Sequence, residues 1–296
     1  MKLYKLINFI EKYFGYVFFK NYNIFSYNLF DFFLKKKLNK KSKKDFLNNF
    51  LEKGYTKIDL NASEFAKKLN ISIGNQEIQP NEKMSYYYDI SEETKSLIRD
   101  FIKNNVNNYL GEVKDYFNNN VFVTNVILKR NFYSEEAETT ELYNNFYHND
   151  AYVFTHFKLF VNLMDMSEDT GPTHVYSIAE TKEIIKKSNS YKRNNLLDDS
   201  SINGIKPYKH MGKKGECFFC FTSQCLHKAG IPHKKNIRDY LVITFCSYPN
   251  KSNDLFHYEN EYSDQIWNGN SQLSIKLAKP YGYKKLLNLY KSFANH

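Results

Sequence analysis

One His-x-Asp pair occurs in the 296 residues, in Tyr147-His148-Asn149-Asp150. In an extended chain residues i and i+2 point to the same side, so both side chains can reach one ion from one strand end. His227, at the end of the apolar run Cys217–Leu226, can supply a third ligand. Two histidines and a carboxylate on one face of an octahedron are the donor set of non-haem Fe(II) sites, which keep three positions open for a bidentate co-substrate and O₂. About 0.4 such pairs arise by chance in a chain of this composition, so the pair alone carries little. Arg238, eleven residues after His227, adds a second signal, since a given His-to-Arg offset arises only roughly 0.1 times by chance. It opens the strand-like run Tyr240–Tyr248 in a chain whose cations are almost all lysine. A planar fork entering an apolar strand suits a carboxylate in a pocket, and the plain alternative is an exposed strand-end arginine beside Asp239.

The elements that must position these residues are β. Val121–Leu128, His156–Met166, Glu216–Phe221 and Tyr240–Tyr248 are short runs rich in Val, Ile, Phe, Thr and Cys, separated by polar turns. Residues 45–110 read as helical with short breaks. Asn61 can cap a helix through Leu69, and Ser91 can cap one whose apolar face runs Leu97, Ile98, Phe101, Ile102, Val106, Tyr109. Residues 188–206 are polar and aperiodic, which reads as a long loop, and Leu286, Leu289, Tyr290 and Phe293 share a helical face in the tail from Pro280. The division expected is a helical region over 1–110 packed on a core over 111–296, together one compact domain.

A net charge of +10, 42% hydrophobic and 25% charged residues describe a folded chain rather than a disordered one. No apolar run approaches a membrane span, and the apolar N-terminal stretch is broken by Glu11 and Lys12, which argues against a signal peptide. The four cysteines, Cys217, Cys220, Cys225 and Cys246, lie in apolar strand-like surroundings and read as reduced thiols of a cytoplasmic protein. Two Phe residues and no glycine separate Cys217 from Cys220, which argues against zinc. Lysine dominance weakens a nucleic-acid reading, and none is expected. Residues 1–34 are crowded with aromatics and are followed by seven lysines between Lys35 and Lys44. Burial against the main domain is the expectation; peripheral membrane contact through residues 1–44 is the alternative that pattern leaves open.

Taken in order, His148-Asn149-Asp150, the stretch Asp165–Val175 with its Gly171-Pro172, Gly215-Glu216-Cys217-Phe218-Phe219, His227 and Arg238 resemble the phytanoyl-CoA dioxygenase family of Fe(II)- and 2-oxoglutarate-dependent oxygenases. The resemblance covers Val121 to Pro249. It implies an α+β chain with a double-stranded β-helix core, a cupin-like jelly roll of two antiparallel sheets with helices packed outside. By it, His148, Asp150 and His227 would hold Fe(II), Arg238 would bind the distal carboxylate of 2-oxoglutarate, and Phe160 would stand at a family aromatic beside the co-substrate. Ala229 departs from the pattern, standing where the family often carries a hydroxyl.

The activity so implied is hydroxylation of a small organic molecule with O₂ as oxidant, since Asp150 occupies the position that halogenases of this fold vacate. The positive balance favours an anionic substrate, and the aromatic N-terminus keeps a lipid-linked one open. The rival from another class is a non-catalytic membrane-peripheral or nucleic-acid-binding module that uses the basic, aromatic N-terminal region. His156 and His174 read as packing or supporting residues. Oligomeric state and substrate identity are not written in the sequence.

Overall fold

The computed structural model describes residues 45–74, 76–117, 120–150, 156–187 and 204–248. The segment 1–44, most of the 188–206 loop and the tail from Pro280 lie outside the described residues.

Chain order gives α1 (Asp45–Lys53), β1 (Tyr55–Ile58), α2 (Ser63–Ile73), β2 (Ser85–Tyr87), and α3 (Glu92–Phe101), which runs through a wider turn at Ile102–Val106 into α4 (Asn107–Phe117). Then come β3 (Asn120–Phe132), β4 (Phe157–Asn162), β5 (Thr173–Val175), α5 (Ile178–Lys187), β6 (Tyr208–His210), β7 (Cys217–Cys220), β8 (His227–Lys228) and β9 (Ile237–Tyr248).

From β3 onward the pairing is nested. β3 pairs β9, His148 bridges His227 of β8, β4 pairs β7, and β5 pairs β6, all antiparallel. Cross-pairs β4–β9 and β5–β8 join these into two sheets, one in the order β1-β7-β4-β9-β3-β2 and one in the order β6-β5-β8 with His148 beyond β8. Strand period decides what each sheet buries. Phe157, Leu159, Val161, Cys217, Phe219, Leu241, Ile243 and Phe245 pack in one cluster with the residues of α1 to α4. The alternate residues Phe160, Phe218, Cys220, Tyr240 and Val242 join Met166 and Val175 of the other layer. The larger sheet is therefore covered on both faces, with helices behind it and the smaller sheet in front. Cys217 and Cys220, three apart on one strand, fall on opposite faces and cannot share a metal.

Ser91 caps α3 as its sequence position predicts, its Oγ accepting from Thr94 N at 3.2 Å. Asn61 does not cap α2: its φ is 50°, its backbone N–H donates to Asp59 Oδ1, and Ala62 occupies the capping position. The region 45–110 also carries two strands that its helical texture does not announce. β1 and β2 are edge strands of the larger sheet, four and three residues long, too short for a period to show. No described helix is long and apolar enough to cross a membrane.

Phe50 of α1 ties the helical layer to the sheet. It is fully buried, stacks on Phe221 with ring centres 4.1 Å apart, and lies within 5.8 Å of Phe157 and Phe219. Phe50→Ala should cost about 3–5 kcal/mol in urea unfolding, whereas Ile71→Ala, at a position 79% exposed, should stay within about 0.5 kcal/mol.

Candidate metal centre

His148 and His227 face each other because their backbones pair. His148 N–H donates to His227 O at 3.0 Å, and His227 N–H donates to His148 O at 2.8 Å. Two residues on, Asp150 N–H donates to Thr222 O at 2.7 Å, which keeps the chain extended and brings its carboxylate to the same side. A buried amide fixes the approach to this segment. Asn145 Oδ1 accepts from Leu142 N and Tyr143 N at 2.8 and 3.2 Å, while its Nδ2 donates to Ala137 O and Thr140 O. The chain after His227 is pressed against the chain before β5: a Cβ on Gly171, whose φ is +72°, would lie 2.7 Å from Gly230 O. No side chain fits there.

The ligand-capable atoms of His148, Asp150 and His227 lie within 4.8 Å of one another, and all three residues are buried. His148 Nε2 is 3.9 Å from Asp150 Oδ1, and His227 Nε2 is 3.8 Å from Asp150 Oδ2. Each imidazole has its Nδ1 against a backbone carbonyl, Phe146 O at 2.8 Å and Cys225 O at 3.0 Å. A carbonyl only accepts, so each Nδ1 carries the proton and each Nε2 turns a lone pair toward the shared space. Ligands about 2.1 Å from an ion at right angles to one another stand about 3 Å apart, so inward movements of under about 1 Å would close the cluster on a divalent cation. The donor set and its orientation fit such an ion.

A lysine joins the site without any signal in residue spacing. Lys158, on the inner face of β4, places Nζ 2.7 Å from Asp150 Oδ2, and His156 Nδ1 is 3.7 Å from the same oxygen. Burial alone would raise the Asp150 carboxyl, but the Lys158 ammonium beside it outweighs burial and holds it well below the usual carboxylate range. His156 donates to or accepts from Thr222 Oγ1 at 3.1 Å, and burial pulls it down to about 3, so it stands neutral behind the carboxylate.

Arg238 is 2% exposed on the inner face of β9. Its Nη2 donates to Thr173 Oγ1, its guanidinium lies 4.0 Å from the Tyr240 ring centre, and its Nε and Nη1 have no hydrogen-bond partner. Asp239 points the opposite way, gripped on the far face by both ends of the Arg130 fork at 2.6 and 2.7 Å. Among the described residues no carboxylate answers Arg238. It lines one cavity with His148, His227, Phe160 and Thr173. Phe160 is stacked on Phe218 with centres 4.8 Å apart and forms that cavity's apolar wall. Of the five site residues expected from the sequence, His148, His227, Arg238 and Phe160 line this cavity, and Asp150 is buried beside the two histidines. His174 does not line it: it sits beside Tyr147, its Nδ1 3.3 Å from the hydroxyl.

No family model matches the chain, and no curated protein matches it in sequence. Among solved structures the chain is similar to the epimerase SnoN in complex with Fe³⁺, α-ketoglutarate and nogalamycin RO, at 11% identity over 68% of this chain and 82% of that one, with a TM-score of 0.48. It is also similar to HygX from Streptomyces hygroscopicus with nickel and 2-oxoglutarate bound, at 12% identity over 71% and 88%, TM-score 0.49. A third is EctD from S. alaskensis with 2-oxoglutarate and 5-hydroxyectoine, at 10% identity over 71% and 80%, TM-score 0.48.

Two outcomes follow from the geometry. Asp150→Ala should abolish stoichiometric Mn(II) binding, followed by the loss of the free-ion electron paramagnetic signal; retention of that binding would remove the cluster as a metal centre. The acid behaviour has a definite sign. Burial pulls His156 and His210 each from 6.5 to about 3, so between those values the unfolded chain binds protons that the folded chain refuses. Stability should therefore fall as pH drops below about 6.5, by up to about 1.4 kcal/mol per pH unit for each histidine. Urea midpoints of the metal-free protein at pH 7, 6 and 5 check this, and a flat profile would contradict it.

Proposed function

We propose that the protein is an Fe(II)- and 2-oxoglutarate-dependent dioxygenase of the phytanoyl-CoA dioxygenase type that hydroxylates a small organic molecule. The observation that carries the reading is a buried guanidinium without a carboxylate, sharing a cavity with a His-Asp-His cluster. Either feature alone has ordinary explanations. Together they ask for a ligand that chelates an ion at one end and presents a carboxylate at the other. In this reading the nested pairing of eight extended segments is that of a double-stranded β-helix, whose first and last strands, second and seventh, third and sixth, and fourth and fifth are partners.

His148 and His227 would bind the ion through Nε2, held in register by their own backbone pairing. Asp150 would give the third ligand, with Lys158 on its Oδ2. Arg238, steadied by Thr173 and the Tyr240 ring, would take the distal carboxylate on an edge of its guanidinium that pairs the second hydrogen of Nη2 with one of the unpartnered nitrogens, Nε or Nη1. Phe160 would press the aliphatic part of the co-substrate and keep water out. Bound Fe(II) and 2-oxoglutarate would supply, with O₂, the oxidation that converts a C–H to C–OH while 2-oxoglutarate yields succinate and CO₂. The protein's task is to orient reactants and keep the cavity dry. Cys217, Cys220 and Cys225 are buried free thiols, which suits a reducing, cytoplasmic setting.

Anaerobic titration with Fe(II) and 2-oxoglutarate should produce a weak visible charge-transfer band, absent in His227→Ala. Arg238→Lys should raise the 2-oxoglutarate concentration needed for half the band at least tenfold, because a point charge cannot replace a bidentate fork. No band in the wild type would end the proposal; an unchanged requirement in Arg238→Lys would take that residue out of it.

A further inference from the structure

We infer that the substrate of this cavity carries an anionic group, a carboxylate or a phosphate, and that Lys129 binds it at the mouth. The inference rests on the oxygenase reading above for what occupies the rest of the cavity.

Lys129 stands on the inner face of β3, 4% exposed, and lines the same cavity as His148, His227 and Arg238. Its ammonium donates to the Tyr87 hydroxyl at 3.1 Å and lies 4.7 Å from the centre of that ring. Three N–H donors and a full charge are thus met by a neutral phenol. The other buried lysine among the described residues, Lys95, is 7% exposed and pairs with Glu92 at 2.6 Å. Among the described residues no carboxylate pairs with Lys129.

The charges of the cavity run the same way. With the divalent ion and 2-oxoglutarate bound, the ion, Arg238 and Lys158 bring four positive charges against three negative ones, the two carboxylates of the co-substrate and Asp150. Asp150 is shared between that ion and Lys158. Lys129 then remains unanswered, and a desolvated ammonium without a counter-charge is strongly unfavourable. Its partner Tyr87 is 54% exposed on the edge strand β2, so the ammonium, itself buried, lies at the end of the cavity nearest the surface. A neutral substrate would close the mouth over a bare cation. An anionic one would complete it, and so the cavity selects for charge.

Methyl phosphate and acetate carry that charge on small bodies, and trimethyl phosphate supplies the shape without it. Each is titrated calorimetrically into the full chain loaded anaerobically with Fe(II) and saturating 2-oxoglutarate, with the visible band recorded on the same samples. One molecule of methyl phosphate or acetate per chain should bind, trimethyl phosphate should not, and the tighter of the two anions separates phosphate from carboxylate. Lys129→Met should weaken that binding at least tenfold, Lys129→Arg should restore most of it, and Lys67→Met, exposed on α2, should leave it unchanged. Failure of both anions to bind the wild type, equal binding of trimethyl phosphate, or undiminished affinity in Lys129→Met would each overturn the assignment. Anion binding that depends on Lys129 in a protein showing no visible band would instead sustain the anion site and overturn the oxygenase reading.

Discussion

Two backbone hydrogen bonds, exchanged between His148 and His227, hold the whole site in place. Residues 79 positions apart in the sequence become direct neighbours, with imidazole centres 4.4 Å apart. The cost of closing so long a loop is not met by those two bonds. It is met by the strands flanking them: β4 on β7 and β3 on β9 zip the same fold of chain from the other sheet. Anything that slips β3 against β9 by one residue would exchange Arg238 for Asp239 on the inner face and empty the cavity of its guanidinium. The apolar alternates, Leu241, Ile243 and Phe245, forbid that slip, because it would turn them away from the helices and into the cavity. Register, and through it the site, is enforced by hydrophobic packing on the face that does no chemistry.

Charge is the second constraint. Asp150 is buried, and an isolated carboxylate there would neutralise itself by taking a proton. Lys158 at 2.7 Å prevents this, so the carboxylate stays ionised before any ion arrives. The same contact occupies Oδ2 and leaves Oδ1, 3.9 Å from His148 Nε2, as the oxygen turned toward that ring. A cluster arranged in this way is ready for a cation without being held open by repulsion. Lys158 and His156 therefore belong to the centre as much as its three ligand-bearing residues do, although neither offers an atom to the shared space.

How much of this the sequence discloses depends on the range of the interaction. His148 and Asp150 are two apart, and a strand period of two is enough to place them together. His227 and Arg238 are eleven apart, near and on successive strands, and stood out through their rarity and surroundings. Lys158, Thr173 and Asn145 could not be found that way. Lys158 is one lysine among many on a strand read as apolar, and its role arises only from which residue of β4 lies opposite Asp150. Asn145 acts by bonding four backbone groups of its own loop, which leaves no pattern in spacing. β1 and β2 were hidden for a related reason: each is a short edge whose conformation is imposed by the partner strand, β7 or β3, rather than by its own residues. Asn61 shows the limit of local chemistry. A good capping residue instead takes a left-handed turn one position before the cap, Ala62.

The two faces of the larger sheet divide the labour, and the division explains where cations are tolerated. On the helix side the central strands present Val126, Leu128, Leu159, Val161, Phe219, Leu241 and Ile243, and near the rim Arg130 meets Asp239 and Tyr88 in a closed set of partners. On the inner side the strands carry Lys129, Lys158 and Arg238 among Phe160, Tyr240 and Val242. A sheet that placed these three cations on its packed face would need three buried counter-ions and would gain nothing over apolar residues of similar size. Facing a cavity, Lys158 is met by Asp150, and Lys129 and Arg238 are left to turn their desolvation into affinity for whatever negative charge enters. The structure thus spends its hydrophobic surface behind the sheet, where it fixes register, and keeps its unanswered charge in front, where a ligand can meet it.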